Sequence, residues 1–161
     1  GEKSKYYHSI IGFNSRLDEF QAAILRAKLP YLDGWTTMRR RNACFYQTEL
    51  RSAGLGPKVV PPAVLPDRTH VFHQFVIRCM RRDELRKFLE SCGIGTATYY
   101  PLPLHQQECF RYLGYAPEDF SRSCAAARET LALPVYPELT PEQKAFVVSS
   151  ITEFYASSAG E

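Results

Sequence analysis

Residues 15–54 carry a helical pattern with a single interruption, and this run constrains the fold more than any other feature of the chain. Leu17, Phe20, Ile24 and Leu25 fall on one stripe at spacings of three and four, the repeat of an amphipathic helix. Asn14 or Ser15 can cap that helix. Asp18 and Glu19 suit its first turn, where the helix dipole favours negative charge. Pro30 lacks a backbone donor and clashes with the preceding turn, so a break or kink is predicted near Leu29. A second helix then runs from about residue 32 to 51, and Gly54 or Gly56 ends it. Helices of this reach exceed what a small core needs. They fit an arm that spans to a neighbouring domain or subunit.

After the arm the pattern changes. Pro57, Pro61, Pro62 and Pro66 mark an extended connection. HVFHQFVIR (70–78) is rich in β-branched and aromatic residues and reads as a strand inside a sheet. His73 alternates there with Val71, Phe75 and Ile77, which makes it a core histidine with satisfied ring nitrogens. Residues 83–92 form an amphipathic helix with Leu85, Phe88 and Leu89 inward and Gly93 just past its end. ATYY (97–100) reads as a second strand, stopped by Pro101, and PLPLH as a rigid turn. Short helices are expected at 108–113 and 121–131, and an extended segment at LPVYP (133–137). Thr140, Pro141 and Gln143 carry the residue types of a helix cap, a first helical position and a capping box. The last helix runs to about residue 156 and buries Val147, Ile151, Phe154 and Tyr155. The N-terminal segment leads into the first helix with no strand before it. The order predicts an α+β fold: a small sheet with helices packed mainly on one face, preceded by a long helical arm. Residues 1–56 are the interface segment and kinked arm, and 57–161 the small α+β domain.

Composition narrows the function. With 161 residues and 45% hydrophobic content, the chain supports one ordinary core and not two large domains. A net charge of +3 is weak for a nucleic-acid binder, and the arginines at 39–41 and 81–82 read as solvated helix faces. Five scattered cysteines without a CxxC argue against zinc and for free thiols in a reducing cytoplasm. No apolar run reaches the roughly 18 to 20 residues of a membrane span, and GEKSKYYHS is no signal peptide. The chain begins like the middle of a longer protein. It has no GxSxG and no glycine-rich phosphate loop. None of its six lysines sits in the apolar or cation-crowded context that makes an amine nucleophilic.

Two polar constellations remain. Asn14, Ser15 and Arg16 follow Gly12 and precede a helix, so they can bind an anion or simply cap the helix. In TYYPLPLHQQ (98–107), Tyr99, Tyr100 and His105 surround two prolines that stiffen the backbone. Such a loop suits a sugar or a nucleotide base, although both tyrosines could equally end a strand and pack in the core.

Taken in order, GFNSRLDEFQAAIL, LPYLDGW, HVFHQFVIR, GIGTATYYPLPLH and AARETLALPVYPELTPEQ resemble the C-terminal part of the DegT/StrS-type sugar aminotransferases. These enzymes use pyridoxal phosphate (PLP) and have the aspartate-aminotransferase (type I) fold. The resemblance runs from about residue 5 to residue 154. It implies transfer of an amino group, commonly from glutamate, to the keto group of a nucleotide-linked sugar. It also implies a homodimer with its active sites at the subunit interface; the composition above adds a cytoplasmic protein acting without nucleic acid or membrane. The family's large PLP-anchoring domain carries the Schiff-base lysine, and its motifs are absent from this sequence. The chain is therefore expected to be the small domain and its connecting helix, inactive alone and binding no metal.

By the same resemblance, Asn14 matches the asparagine that reaches across the dimer to the PLP phosphate of the partner subunit. Arg16 beside it suits a carboxylate or phosphate through charge-assisted hydrogen bonds. GTATYYPLPLH corresponds to the substrate loop. Tyr99 stands where many members have histidine, so it offers a hydrogen bond without an imidazole's charge. Tyr100 precedes the proline, and His105 either orders the loop or touches substrate. A different reading is a stand-alone binding module that pairs with a separate large-domain chain or binds a nucleotide sugar. Surface polysaccharide, lipopolysaccharide and antibiotic sugars are all destinations the resemblance leaves open.

Overall fold

A hairpin opens the chain where no strand was expected. Strands β1 (Glu2–Ser4) and β2 (Tyr7–His8) pair antiparallel, and Tyr6 at the turn takes a left-handed φ of 72°. Strands this short leave no periodic trace in a sequence. The computed structural model describes residues 2–157; residues 1 and 158–161, the outer ends of the two expected domain ranges, lie outside them.

Helix α1 spans Glu19–Lys28. Its cap is Asp18 and neither Asn14 nor Ser15: the Asp18 carboxylate accepts the Gln21 N–H at 2.8 Å from an extended backbone. The expected break at Pro30 is present as a 3-10 turn over Leu29–Tyr31, which leads into α2 (Leu32–Ser52). The chain leaves α2 through Gly54, whose φ of 68° suits a residue without a Cβ.

Strand β3 (Val59–Val60) pairs with β4 (Phe75–Cys79). The expected strand at 70–78 therefore begins five residues late. Residues 70–74 turn instead: Phe72 has a φ of 50° and its N–H donates to His70 Nδ1 at 2.9 Å. His73 is exposed and is not a core histidine. Helix α3 (Arg82–Ser91) buries Leu85 and Leu89, with Phe88 packed beside them. ATYY is no strand. Only Ala97 forms a bridge, with Ala132, and the Tyr99–Tyr100 peptide is cis.

Helix α4 (Ser121–Glu129) stops two residues before its expected end, because Thr130–Leu133 forms β5. In the register against β4, Phe75 faces Leu133 and Ile77 faces Leu131. Cross-strand pairing outweighs the local helix preference of Leu131 and Ala132. Helix α5 (Pro141–Ser157) carries the anticipated capping box: Gln143 N–H donates to Thr140 Oγ1 at 3.2 Å, and Thr140 N–H donates to Gln143 Oε1 at 3.0 Å.

The contacts divide the chain into two compact units. One takes the residues up to Leu32 together with Tyr99–Arg128. The other takes Asp33–Thr98 and the chain from Glu129 on, so the sequence-level boundary after residue 56 falls inside it. The second unit holds the antiparallel sheet, in the order β3-β4-β5, and the main core. Phe75, Ile77 and Cys79 turn one face of β4 inward, where they join Tyr46 and Leu50 of α2, Leu85 and Leu89 of α3, and Ile151 of α5. Arg78 on the other face is exposed and reaches Glu129. Polar groups inside are paired. Tyr46 donates to Pro134 O at 3.1 Å, and buried Asn42 donates to Tyr136 O at 2.8 Å while accepting from Lys144 Nζ at 2.9 Å.

Candidate functional site

The expected site residues all belong to the first unit. The loop that starts at Tyr99 runs through Pro101 and Pro103 into a 3-10 turn at Leu104–Gln106, then a second over Glu108–Leu113. Prolines at 101 and 103 fix φ and remove two backbone donors, which keeps this stretch out of any sheet.

Three tyrosines meet at the start of the loop. Tyr6 of the hairpin lies edge-on to Tyr99 at 6.1 Å and to Tyr100 at 5.3 Å, and Tyr99 and Tyr100 are themselves 5.9 Å apart. Edge-to-face rings at these separations attract beyond their burial. Lys5 Nζ sits 5.2 Å from the Tyr6 ring. Gln107 closes the arrangement from the other end of the loop. Its Oε1 accepts the His8 N–H at 2.9 Å, and its Nε2 donates to the Tyr6 carbonyl at 2.8 Å. Between these segments and α4 lies a cleft of about 490 Å³, walled by Tyr6, His8, Tyr100, Pro103, Leu104, Gln107, Ser123 and Ala127.

His105 points elsewhere. Its Nε2 lies 2.8 Å from the Pro117 carbonyl, which can only accept, so Nε2 carries the proton. The ring packs against Phe120 at 4.9 Å and lines a second pocket, of about 320 Å³, with Phe110 and Tyr115. Gln106 Nε2 and Cys124 Sγ also reach the Pro117 carbonyl, at 2.7 and 3.1 Å.

Asn14 and Arg16 are exposed on the stretch between β2 and α1, which has no regular structure. Neither lines the cleft. An amide and a guanidinium two residues apart and open to solvent fit an anion brought by another chain or domain. The structure thus gathers Tyr99, Tyr100 and His105 on one loop and leaves Asn14 and Arg16 on a different segment. Gln107 is the residue missed from sequence. It lay within the loop singled out, but nothing in its spacing marked a buried amide.

Lys28 of the first unit is exposed, and so are Lys58 and Lys87 of the other. Lys144, also in that unit, donates to Asn42 Oδ1 at 2.9 Å and lies 5.2 Å from the Phe45 ring. Among the described residues no three His, Cys, Asp or Glu side chains are placed to hold a metal, all five cysteines are free, and no helix is long and apolar enough to cross a membrane. The chemistry on offer is binding: aromatic walls, hydroxyls and an amide beside an open cleft.

Residues 1–152 match the family described as the DegT/DnrJ/EryC1/StrS aminotransferase family. The chain is 52% identical over 155 residues to the pleiotropic regulatory protein of Geobacillus stearothermophilus, covering 96% of this chain and 41% of that protein. It is 42% identical over 156 residues to the dTDP-3-amino-3,4,6-trideoxy-alpha-D-glucose transaminase of Streptomyces venezuelae, covering 96% and 40%. The crystal structure of S. venezuelae DesV in complex with a ketimine intermediate aligns with a TM-score of 0.80 at 40% identity, over 96% of this chain and 41% of that one. A DegT DnrJ EryC1 StrS aminotransferase from Brucella abortus aligns at 0.76 with 30% identity, over 95% and 40%. The chain spans about 40% of the length of the curated relatives it matches.

Proposed function

Because the chain belongs to the DegT/DnrJ/EryC1/StrS aminotransferase family, we propose that it is the C-terminal part of a PLP-dependent enzyme that moves an amino group from glutamate onto the keto carbon of a nucleotide-linked sugar. The observation that carries this reading is the family match over residues 1–152, supported by 42% identity to a dTDP-sugar transaminase. The donor set agrees with it. PLP bears a phosphate, and Asn14 and Arg16 offer an exposed amide and guanidinium for one.

When bound, PLP supplies an electron sink that lets the amino group pass between donor and acceptor. The residues of this chain bind and orient. Asn14 holds the phosphate of the cofactor in the partner subunit of a homodimer, and Arg16 holds a carboxylate or phosphate beside it. The hydroxyls of Tyr99 and Tyr100 hydrogen-bond the sugar. His105, tied to Pro117, keeps the loop in shape. The lysine that anchors PLP lies in a large domain outside these residues, so the 161-residue chain is inactive alone. Five free thiols suit a cytoplasmic enzyme.

The test is to purify the full reading frame, record PLP absorbance, and assay glutamate-dependent amination of keto dTDP- and UDP-sugars. The expected result is a PLP-loaded dimer that aminates one of them. Asn14→Ala should weaken PLP affinity about tenfold without lowering thermal stability, since the side chain is exposed. A full-length protein that neither binds PLP nor aminates a nucleotide sugar overturns the reading. PLP affinity unchanged in N14A removes Asn14 from the site.

A further inference from the structure

Gln107 is the only buried polar side chain of its unit among the described residues, at 5% exposure. It sits in a loop, between two 3-10 turns, where no helix or strand needs it. Both ends of its amide bond the backbone of the hairpin, to the carbonyl of Tyr6 and the N–H of His8. A side-chain amide offers a carbonyl acceptor and an NH2 donor, so Gln107 accepts from the His8 N–H and donates to the Tyr6 carbonyl at once, across the turn into β2. Its neighbour Gln106 points the other way and fastens the inside of the loop at Pro117. The two glutamines thus divide two tasks, and only Gln107 joins segments about a hundred residues apart in sequence.

We propose that Gln107 is a positioning residue: it fastens the Tyr6–His8 hairpin to the loop that carries Tyr99, Tyr100 and His105. It thereby sets one wall of the cleft and the starting point of the segment that carries Asn14 and Arg16. Its effect on turnover rests on the aminotransfer reading above; its effect on the hairpin does not. Tyr6, His8, Tyr100 and Gln107 all line the cleft. If the amide lets go, the hairpin loses both of these hydrogen bonds to the loop, and the wall moves away from it. None of these groups performs the amino transfer itself. The loss therefore falls on binding of the sugar and far less on the rate once it is bound.

The experiment uses the full-length protein with two substitutions. Gln107→Leu removes both hydrogen bonds and keeps the bulk. Gln107→Glu keeps an acceptor for the His8 N–H and sets a carboxylate against the Tyr6 carbonyl. Amide hydrogen exchange of the peptide containing Tyr6 to His8 should rise about tenfold or more in Q107L and by less in Q107E. KM for the keto nucleotide-sugar should rise about tenfold in Q107L with kcat within about threefold of wild type, and Q107E should fall between. A merely structural glutamine would lower yield and thermal stability and leave KM and hairpin exchange alone; that result overturns the proposal. Should Q107L fail to fold, the graded response of Q107E decides by the same two readouts. Should the wild-type protein fail to aminate any sugar, the aminotransfer reading falls, and exchange at the hairpin alone decides for or against Gln107.

Discussion

Cys79 and Tyr155 show what burial does to single groups in this chain. Cys79 lies in the core beside β5, its thiol reaching the Glu129 carbonyl at 3.5 Å, and burial pushes its pKa from an ordinary 9.0 up to about 12. Burial first, and then Cys79, push the Tyr155 phenol well above its ordinary value. Tyr155 donates to the Met80 carbonyl. For an acid whose pKa is raised on folding, the folded state holds its proton more tightly than the unfolded chain. Stability is then fully present below the unfolded pKa and lost as pH rises through the folded one. The protein should therefore melt at progressively lower temperature above about pH 9, and Cys79→Ala should flatten the first part of that fall. A melting temperature level from pH 8 to 11 would refute this. Tyr155→Phe should cost about 1–3 kcal/mol in urea unfolding at pH 7, because it leaves the Met80 carbonyl without its donor. At this scale the sequence named the chemistry and missed the direction. His105 was visible as an imidazole on a stiff loop, yet its bond to Pro117 depends on a turn twelve residues on. Gln107 looked like any polar loop residue, since burial of an amide outside regular structure has no period to reveal it.

Regular elements were legible in proportion to how local their hydrogen bonds are. Helices α2 and α3 lie within a residue of their expected limits, at Leu32–Ser52 and Arg82–Ser91, because apolar period and end signals sit in the same stretch. The strands fared worse. β4 was expected five residues early, the first half of β5 was taken for the end of a helix while the extended segment expected at 133–137 meets β5 only at Leu133, and the β1–β2 hairpin left no sign, since two to five residues acquire strand character only from a partner. Helix α1 shows the limit of cap reading. Asn14, Ser15 and Asp18 are all competent caps, and only the structure reveals Asp18 as the one that closes on Gln21. Helix α5 had a single competent cap and was read correctly. Its capping box gives a clean test. Thr140→Ala should destabilise the chain by about 1 kcal/mol, and Gln143→Ala by about half that. The double variant should cost less than the sum, because each single change already breaks the reciprocal pair. Strict additivity in urea unfolding would mean the two bonds act separately.

For the molecule as a whole, the informative surface is the one left uncovered in the first unit. Helix α1 buries no residue. Ile10, Ile11, Phe13, Leu17, Phe20, Leu25 and Leu29 are all exposed, Phe20 at 73%. A stripe at helical spacing ordinarily marks a face turned to its own core, but the length of the arm already pointed from sequence to a neighbouring domain or subunit. The structure supplies no core for it. Contiguous apolar surface of this kind drives association, so the 161-residue chain should self-associate in a concentration-dependent way by light scattering. Phe20→Glu with Leu25→Lys should return it to a monomer. Neither side chain is buried, so the melting temperature of the dilute chain should stay within about 2 °C, a shift of no more than about 1 kcal/mol for a domain of this size. A wild-type chain that stays monomeric at high concentration would refute the stripe as an interaction surface. The same pair of substitutions in the full-length protein separates two partners. If the stripe packs against a second subunit, the dimer should dissociate and PLP affinity should fall with it, because Asn14 precedes the stripe by three residues and reaches the partner's cofactor in the proposed enzyme. If the stripe packs against the same subunit's large domain, the full-length protein should lose stability and remain a dimer.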